Sequence, residues 1–129
     1  MARRKSSTFT EVELEFMQII WELGEVSTES MMETLEERGR PLADGSIRKI
    51  LGILLEKSHL TRIRSGRSFI YRPAVGKVQA HKRMIRDLLV RAFNGSPVTM
   101  VAALLDSREI GPGDIESIKQ LIEDHEKHE

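Results

Sequence analysis

Cysteine is absent from the 129 residues, which removes disulfides, thiolate nucleophiles and cysteine metal sites together. Such a chain suits a reducing cytoplasm. No apolar run approaches the ~20 residues needed to cross a bilayer, so no membrane partner is expected. The opening stretch with Arg3-Arg4-Lys5 is basic but leads into Thr10-Glu11-Val12-Glu13, which does not read as a signal peptide. There is no internal repeat, no low-complexity linker and no glycine-rich phosphate loop. His59, His81, His125 and His128 lack metal-ligand spacing with acids, except where His125, His128 and Glu129 meet at the chain end, a place poor in fixed ligands. Ser58-His59 are neighbours without an elbow or oxyanion-hole motif. Neither catalysis nor a cofactor is expected.

What is present is charge, sorted along the chain. Residues 6–37 carry nine acids and no Lys or Arg, whereas residues 38–91 carry fourteen Lys or Arg against three acids. Residues 92–129 return to eight acids against three bases, and the whole sums to zero. Segregation of this kind is the footprint of a polyanion-binding middle segment, with a solvated basic face as the plain alternative.

Hydrophobic spacing divides the chain into elements. Thr10-x-x-Glu13 is a capping box, with Phe9 and Leu14 at staple positions, and Val12, Phe16, Ile19, Ile20 and Leu23 continue as a helix that Gly24 stops. Ser27 caps a second helix carrying Met31, Met32 and Leu35, ended by Gly39. A third begins near Asp44, where Ile47, Ile50, Leu51 and Leu54 form one stripe that must be buried. Its opposite face presents Gly45, Ser46, Arg48, Lys49 and Gly52. A mid-helix glycine costs ~1 kcal/mol against alanine, so Gly52 is either merely tolerated or marks a close approach to the backbone.

Thr61–Arg64 and Phe69–Arg72 then read as a hairpin joined by Ser65-Gly66-Arg67-Ser68 and ended by Pro73. Arg62 and Arg64 share a face, and Arg67 sits at the tip. Helix, helix, helix, hairpin is the order of a winged helix. From Val75 the helical pattern returns, breaks at Asn94-Gly95, resumes after Ser96-Pro97, breaks again at Gly111-Pro112-Gly113, and ends in a helix that Asp114 can cap. The predicted fold is mainly α with a small β-hairpin: a winged helix-turn-helix domain over 8–74 and a three-helix dimerisation arm over 75–127. The arm offers Ile85, Leu88, Leu89, Phe93, Val101, Leu104, Leu105, Ile115, Ile118, Leu121 and Ile122, too large an apolar face for so few residues to bury alone. A second copy would cover it; folding back onto the same chain's head is the alternative.

A major groove admits one α-helix, which makes double-stranded DNA the expected partner. Arg48 and Lys49 are long enough to reach base edges, and Ser46 can meet a base or a phosphate. Arg40, Lys57, Arg62, Arg64, Arg67 and Arg72 are the expected phosphate contacts, with the Arg3-Arg4-Lys5 tail as a further one. A protein-interaction module that meets an acidic partner is the rival reading, and a histidine hydrolase a weaker one.

The run Thr10 to Gly24, the segments Gly45–Arg48 and Leu54–Ser58, Gly66–Pro73 and Phe93–Pro97 resemble, in order, the penicillinase/methicillinase repressor (BlaI/MecI) family over residues 9–123. That resemblance implies a homodimeric, cytoplasmic repressor of a pseudo-palindromic operator, with recognition-helix contacts at Gly45, Ser46, Arg48 and Lys49 and wing contacts around Arg64 and Arg67. It also implies release by a regulatory protease or sensor. The family's cleaved Asn-Phe bond aligns here with Ala103-Leu104, and the Cys-x-Cys pairs of copper-responsive relatives have no counterpart.

Overall fold

Local chemistry starts each element where the pattern expects it. In the computed structural model, which describes residues 8–128, Thr10 Oγ1 accepts from the Glu13 N–H at 3.2 Å and opens α1, Glu11–Leu23. Gly24, at φ 87°, closes it in a backbone region that disfavours side chains. Ser27 and Ser30 cap each other reciprocally to begin α2, Thr28–Glu37. Helix α3 spans Asp44–Glu56, β1 Leu60–Ser65 and β2 Ser68–Pro73. The arm consists of α4 Lys77–Phe93, α5 Pro97–Leu105 and α6 Pro112–Lys127.

One helix start differs from expectation. Asp114 caps α6 from inside rather than as its first flanking residue: Gly111 is the N-cap, Pro112 occupies the first turn, and Asp114 reaches back to accept from the Gly111 N–H at 2.9 Å. Proline's missing N–H costs nothing at a position where that group would lack a helical partner.

The head is organised around Phe16, Met17, Ile19 and Ile20 of α1, Met31 and Leu35 of α2, and Ile47, Leu51 and Leu54 of α3, all fully buried. Leu60 and Tyr71 bring the hairpin onto this core, and Trp21 packs at its edge. The strands pair antiparallel from Leu60↔Pro73 to Ser65↔Ser68, so the turn is two residues, with Gly66 at φ 63°. A pairing absent from the sequence reading extends the hairpin. Val26 and Tyr71 exchange backbone hydrogen bonds of 3.0 and 2.7 Å, which adds the α1–α2 connection to the sheet as a single bridge.

Lys57 is not the surface cation expected of a phosphate contact. Its ammonium donates to Glu13 Oε1 at 2.6 Å and to the Thr8 carbonyl at 3.2 Å, with side chains only 8% and 7% exposed across the ion pair. The pair ties the start of α1 to the end of α3. Burial pushes the Glu13 carboxyl up, but hydrogen bonds from Lys57 and Thr10 outweigh it and hold the group below its ordinary value of 4.5.

Two compact units meet within α4, the first ending at Met84 and the second beginning at Ile85. The first reaches past the expected boundary at residue 74 because the Trp21 indole N–H donates to the Val75 carbonyl at 3.0 Å, its ring meets His81 edge-on, and Ala80 is buried. In the second unit, α5 and α6 have no buried residue. Ile85, Leu88, Val101, Leu104, Leu105, Ile115, Leu121 and Ile122 are exposed, and Leu89, Phe93 and Ile118 half-buried. Among the described residues no single helix is long and apolar enough to cross a membrane.

Because Glu13 is charged and buried, Lys57→Met should cost about 3–5 kcal/mol at neutral pH, whereas Glu13→Leu combined with Lys57→Met should be close to neutral. Urea denaturation measures both. In the wild type, the stabilisation from the lowered Glu13 carboxyl is present above its unfolded value of 4.5 and is lost as pH falls through the lower folded value. Lys57→Met should lack that acid-side loss.

Candidate nucleic-acid interface

Three buried residues set the outward face of α3. With Ile47, Leu51 and Leu54 in the core, Gly45, Ser46, Arg48, Lys49 and Gly52 are all exposed. Ile50 is half-buried at the border. A Cβ added at Gly45 or Gly52 would meet nothing within 4 Å, so no packing inside the molecule requires either glycine. The face is therefore narrow, smooth at both glycines, and basic between them.

Arg48 is not idle there. Its Nε donates to Asp44 Oδ2 at 2.7 Å, one turn earlier on the same helix. Lys49 pairs with no carboxylate among the described residues.

The hairpin displays the second basic group. Arg62, Arg64 and Arg67 are exposed, and cross-strand pairing places Phe69 opposite Arg64. The Arg62 guanidinium lies 4.0 Å above the Phe69 ring centroid and that of Arg64 lies 5.9 Å from it. At exposed sites such stacking is worth about 0.5–1 kcal/mol, enough to bias two long side chains toward one arrangement. Arg64 Nε also donates to the Gly66 carbonyl at 3.3 Å.

The remaining expected contacts are held by acids. Arg40 Nε donates to both oxygens of Glu15 at 2.8 and 2.6 Å, and that hydrogen bonding raises its pKa. Arg72 Nε pairs with Glu25 at 2.8 Å. These pairs are half-exposed, a setting in which an ion pair is worth little and can exchange partners. Lys57 is the one expected contact that is buried and committed elsewhere. The Arg3-Arg4-Lys5 tail lies outside the described residues.

Residues 9–124 match the profile of the penicillinase repressor family. The chain belongs to that family. It is 25% identical over 122 residues to the penicillinase repressor of Bacillus licheniformis, covering 95% of this chain and 94% of that one. It is 27% identical over 117 residues to an uncharacterized 16.5 kDa protein in the ptsI 3′ region of Latilactobacillus sakei, covering 91% of this chain and 80% of the other. Among solved structures, the DNA-binding domain of the repressor BlaI superposes with a TM-score of 0.51 at 25% identity, covering 60% of this chain and 93% of that domain. The family is one of transcriptional repressors, not of enzymes, and the head is a winged helix of the BlaI type. Family membership and fold both agree with the sequence reading.

Sequence reasoning missed three features of this surface. The i, i+4 spacing of Asp44 and Arg48 was available but not used. The stacking on Phe69 needed the hairpin register. The pairing of Arg40 and Arg72 with Glu15 and Glu25 joins residues 25 and 47 positions apart and leaves no local signal. Since open space surrounds Gly52, Gly52→Ala should stabilise the free chain by up to ~1 kcal/mol, read as a higher urea midpoint.

Proposed function

We propose that the chain is a homodimeric, cytoplasmic transcriptional repressor that holds a pseudo-palindromic operator, with α3 in the major groove and the hairpin as a wing on the backbone. The observation that carries this reading is the exposed face of α3, where Gly45, Ser46, Arg48 and Lys49 stand clear of the core beside an arginine-bearing hairpin. Arg48 and Lys49 read base edges, and Ser46 and the Gly45 backbone lie against the groove. Arg62, Arg64 and Arg67 neutralise phosphates, while Arg40 and Arg72 can join them by leaving Glu15 and Glu25. Phosphate contacts position the head without carrying sequence information.

The arm supports the dimer. Val101, Leu104, Leu105, Leu121 and Ile122 are exposed on helices with no buried residue of their own, a surface that monomers rarely leave to water. A two-fold axis would set the half-sites about one helical turn apart, ~10 bp. Release falls to a regulatory sensor or protease, as the family resemblance implies. Ala103-Leu104, exposed in α5, is not the family's Asn-Phe bond, so cleavage there is not assumed.

Gel shifts with specific and scrambled duplexes across a salt series test the head. Arg48→Ala or Lys49→Ala should weaken specific binding by ~1–3 kcal/mol, and Arg64→Ala should weaken all sequences alike and flatten the salt slope by about one unit. Gly52→Ala should weaken binding despite its more stable fold. Equal behaviour of all these variants on every duplex would overturn the reading. For the arm, Leu104→Asp with Leu121→Asp should give a monomer in sedimentation equilibrium and lose most operator affinity; an unchanged mass would refute the arm's role.

A further inference from the structure

We infer that Asp44 sets the base preference of Arg48, by taking its Nε–H and leaving the terminal guanidinium edge to read one guanine in each half-site. The inference rests on the repressor reading above.

The geometry is specific. Asp44 begins α3, and Arg48 follows one turn later, with Oδ2 at 2.7 Å from Nε. Both side chains are more than half exposed, at 53% and 66%. An exposed i, i+4 pair adds little to stability, so either side chain can be changed without loss of the fold. Ala43 gives α3 no side-chain cap, and Asp44 is the acid of the first turn, where the helix dipole favours a negative group.

A guanidinium carries five N–H groups in a fixed fork. With Nε–H spent on Asp44, the four on Nη1 and Nη2 remain, and they point along the end of the side chain. That edge matches the O6 and N7 acceptors of guanine. Without the carboxylate, Arg48 would sample many rotamers and could turn to a phosphate, which every sequence offers.

The carboxylate has a second effect. A negative charge at the front of a helix facing phosphates repels every duplex, whatever its sequence. That repulsion is the same on every duplex, whereas the support given to Arg48 counts only where a guanine is present. Asp44 thus lowers indiscriminate binding while it supports the selective contact. Lys49, one residue on and without a carboxylate partner among the described residues, has no such restraint.

Selection from a random duplex pool, with the full-length wild type, Asp44→Asn and Asp44→Ala, tests this. Both substitutions fall on an exposed side chain, and circular dichroism should show an unchanged fold. The wild type should enrich guanine at one position per half-site. In both variants that preference should drop about tenfold, the scale of one bidentate base contact, while affinity for scrambled duplex rises. Arg48→Ala should lose the same guanine without gaining scrambled-duplex affinity. Variants that keep the guanine overturn the inference and leave the repressor reading standing. So does loss of a cytosine in its place, which would mean that Asp44 touches the base itself. A wild type that enriches no sequence overturns both.

Discussion

With ~3.6 residues per turn, α3 cannot bury Ile47, Leu51 and Leu54 without turning Gly45, Ser46, Arg48, Lys49 and Gly52 to solvent. The core of the head and its exposed basic face are two sides of one periodicity. Everything else in the first unit serves to hold that helix in place. Helices α1 and α2 supply the opposing apolar surface, Leu60 and Tyr71 close it from the hairpin, and the buried Glu13–Lys57 pair ties the far end of α3 to the first turn of α1. Each fully buried aliphatic side chain is worth about 1.5–3 kcal/mol, so packing supplies the strength. The buried ion pair adds little net stability over an apolar pair of the same shape.

Charge that is segregated along the chain is mingled in space. The acids of residues 6–37 do not form a separate lobe; Glu15, Glu22 and Glu25 lie on Arg40, Arg38 and Arg72. Four cations of the middle segment, Arg38, Arg40, Lys57 and Arg72, are answered by acids of residues 6–37. The cations that no acid holds among the described residues include Lys49, Arg62, Arg64 and Arg67, on the third helix and the wing. A chain with no net charge can thus present a concentrated basic surface, because its neutralisation is uneven. At physiological salt the field is screened within about 8 Å, so this local arrangement, not the total, governs what the head attracts.

Local signals were legible and long-range ones were not. Thr10, Ser27, Ser96-Pro97 and Asn94-Gly95 marked helix ends because caps and breaks act within a few residues. The stripe of α3 and the turn at Gly66 were readable for the same reason. Lys57 was misjudged because its partner Glu13 lies 44 positions away, and a lysine at the end of a helix looks solvent-facing until tertiary packing brings an acid to it. The Val26–Tyr71 bridge was invisible for the same cause, since a single paired residue has no periodicity. An N-cap at Asp114 is what the side chain favours locally, whereas the fixed φ of Pro112 suits the first turn and the helix starts three residues earlier. Of the residues singled out, those on the outer face of α3 and the wing arginines are exposed, and the Lys57 side chain is buried.

The bridge between Val26 and Tyr71 has a mechanical consequence for the wing. A lone two-stranded hairpin is marginal in water. Here its root is bolted to the α1–α2 connection by two backbone hydrogen bonds and to the interior by Tyr71 and Leu60. Farther out, Phe69, paired with Arg64, packs against the edge of the core, while every residue from Thr61 to Ser68 is exposed. The hairpin is thus seated at its root by Tyr71 and Leu60 and farther out by Phe69, and only the Gly66-Arg67 turn projects beyond the last strand pair. Because the same interior seats α3, a change at Tyr71 or Leu60 would disturb the root of the wing and that helix together.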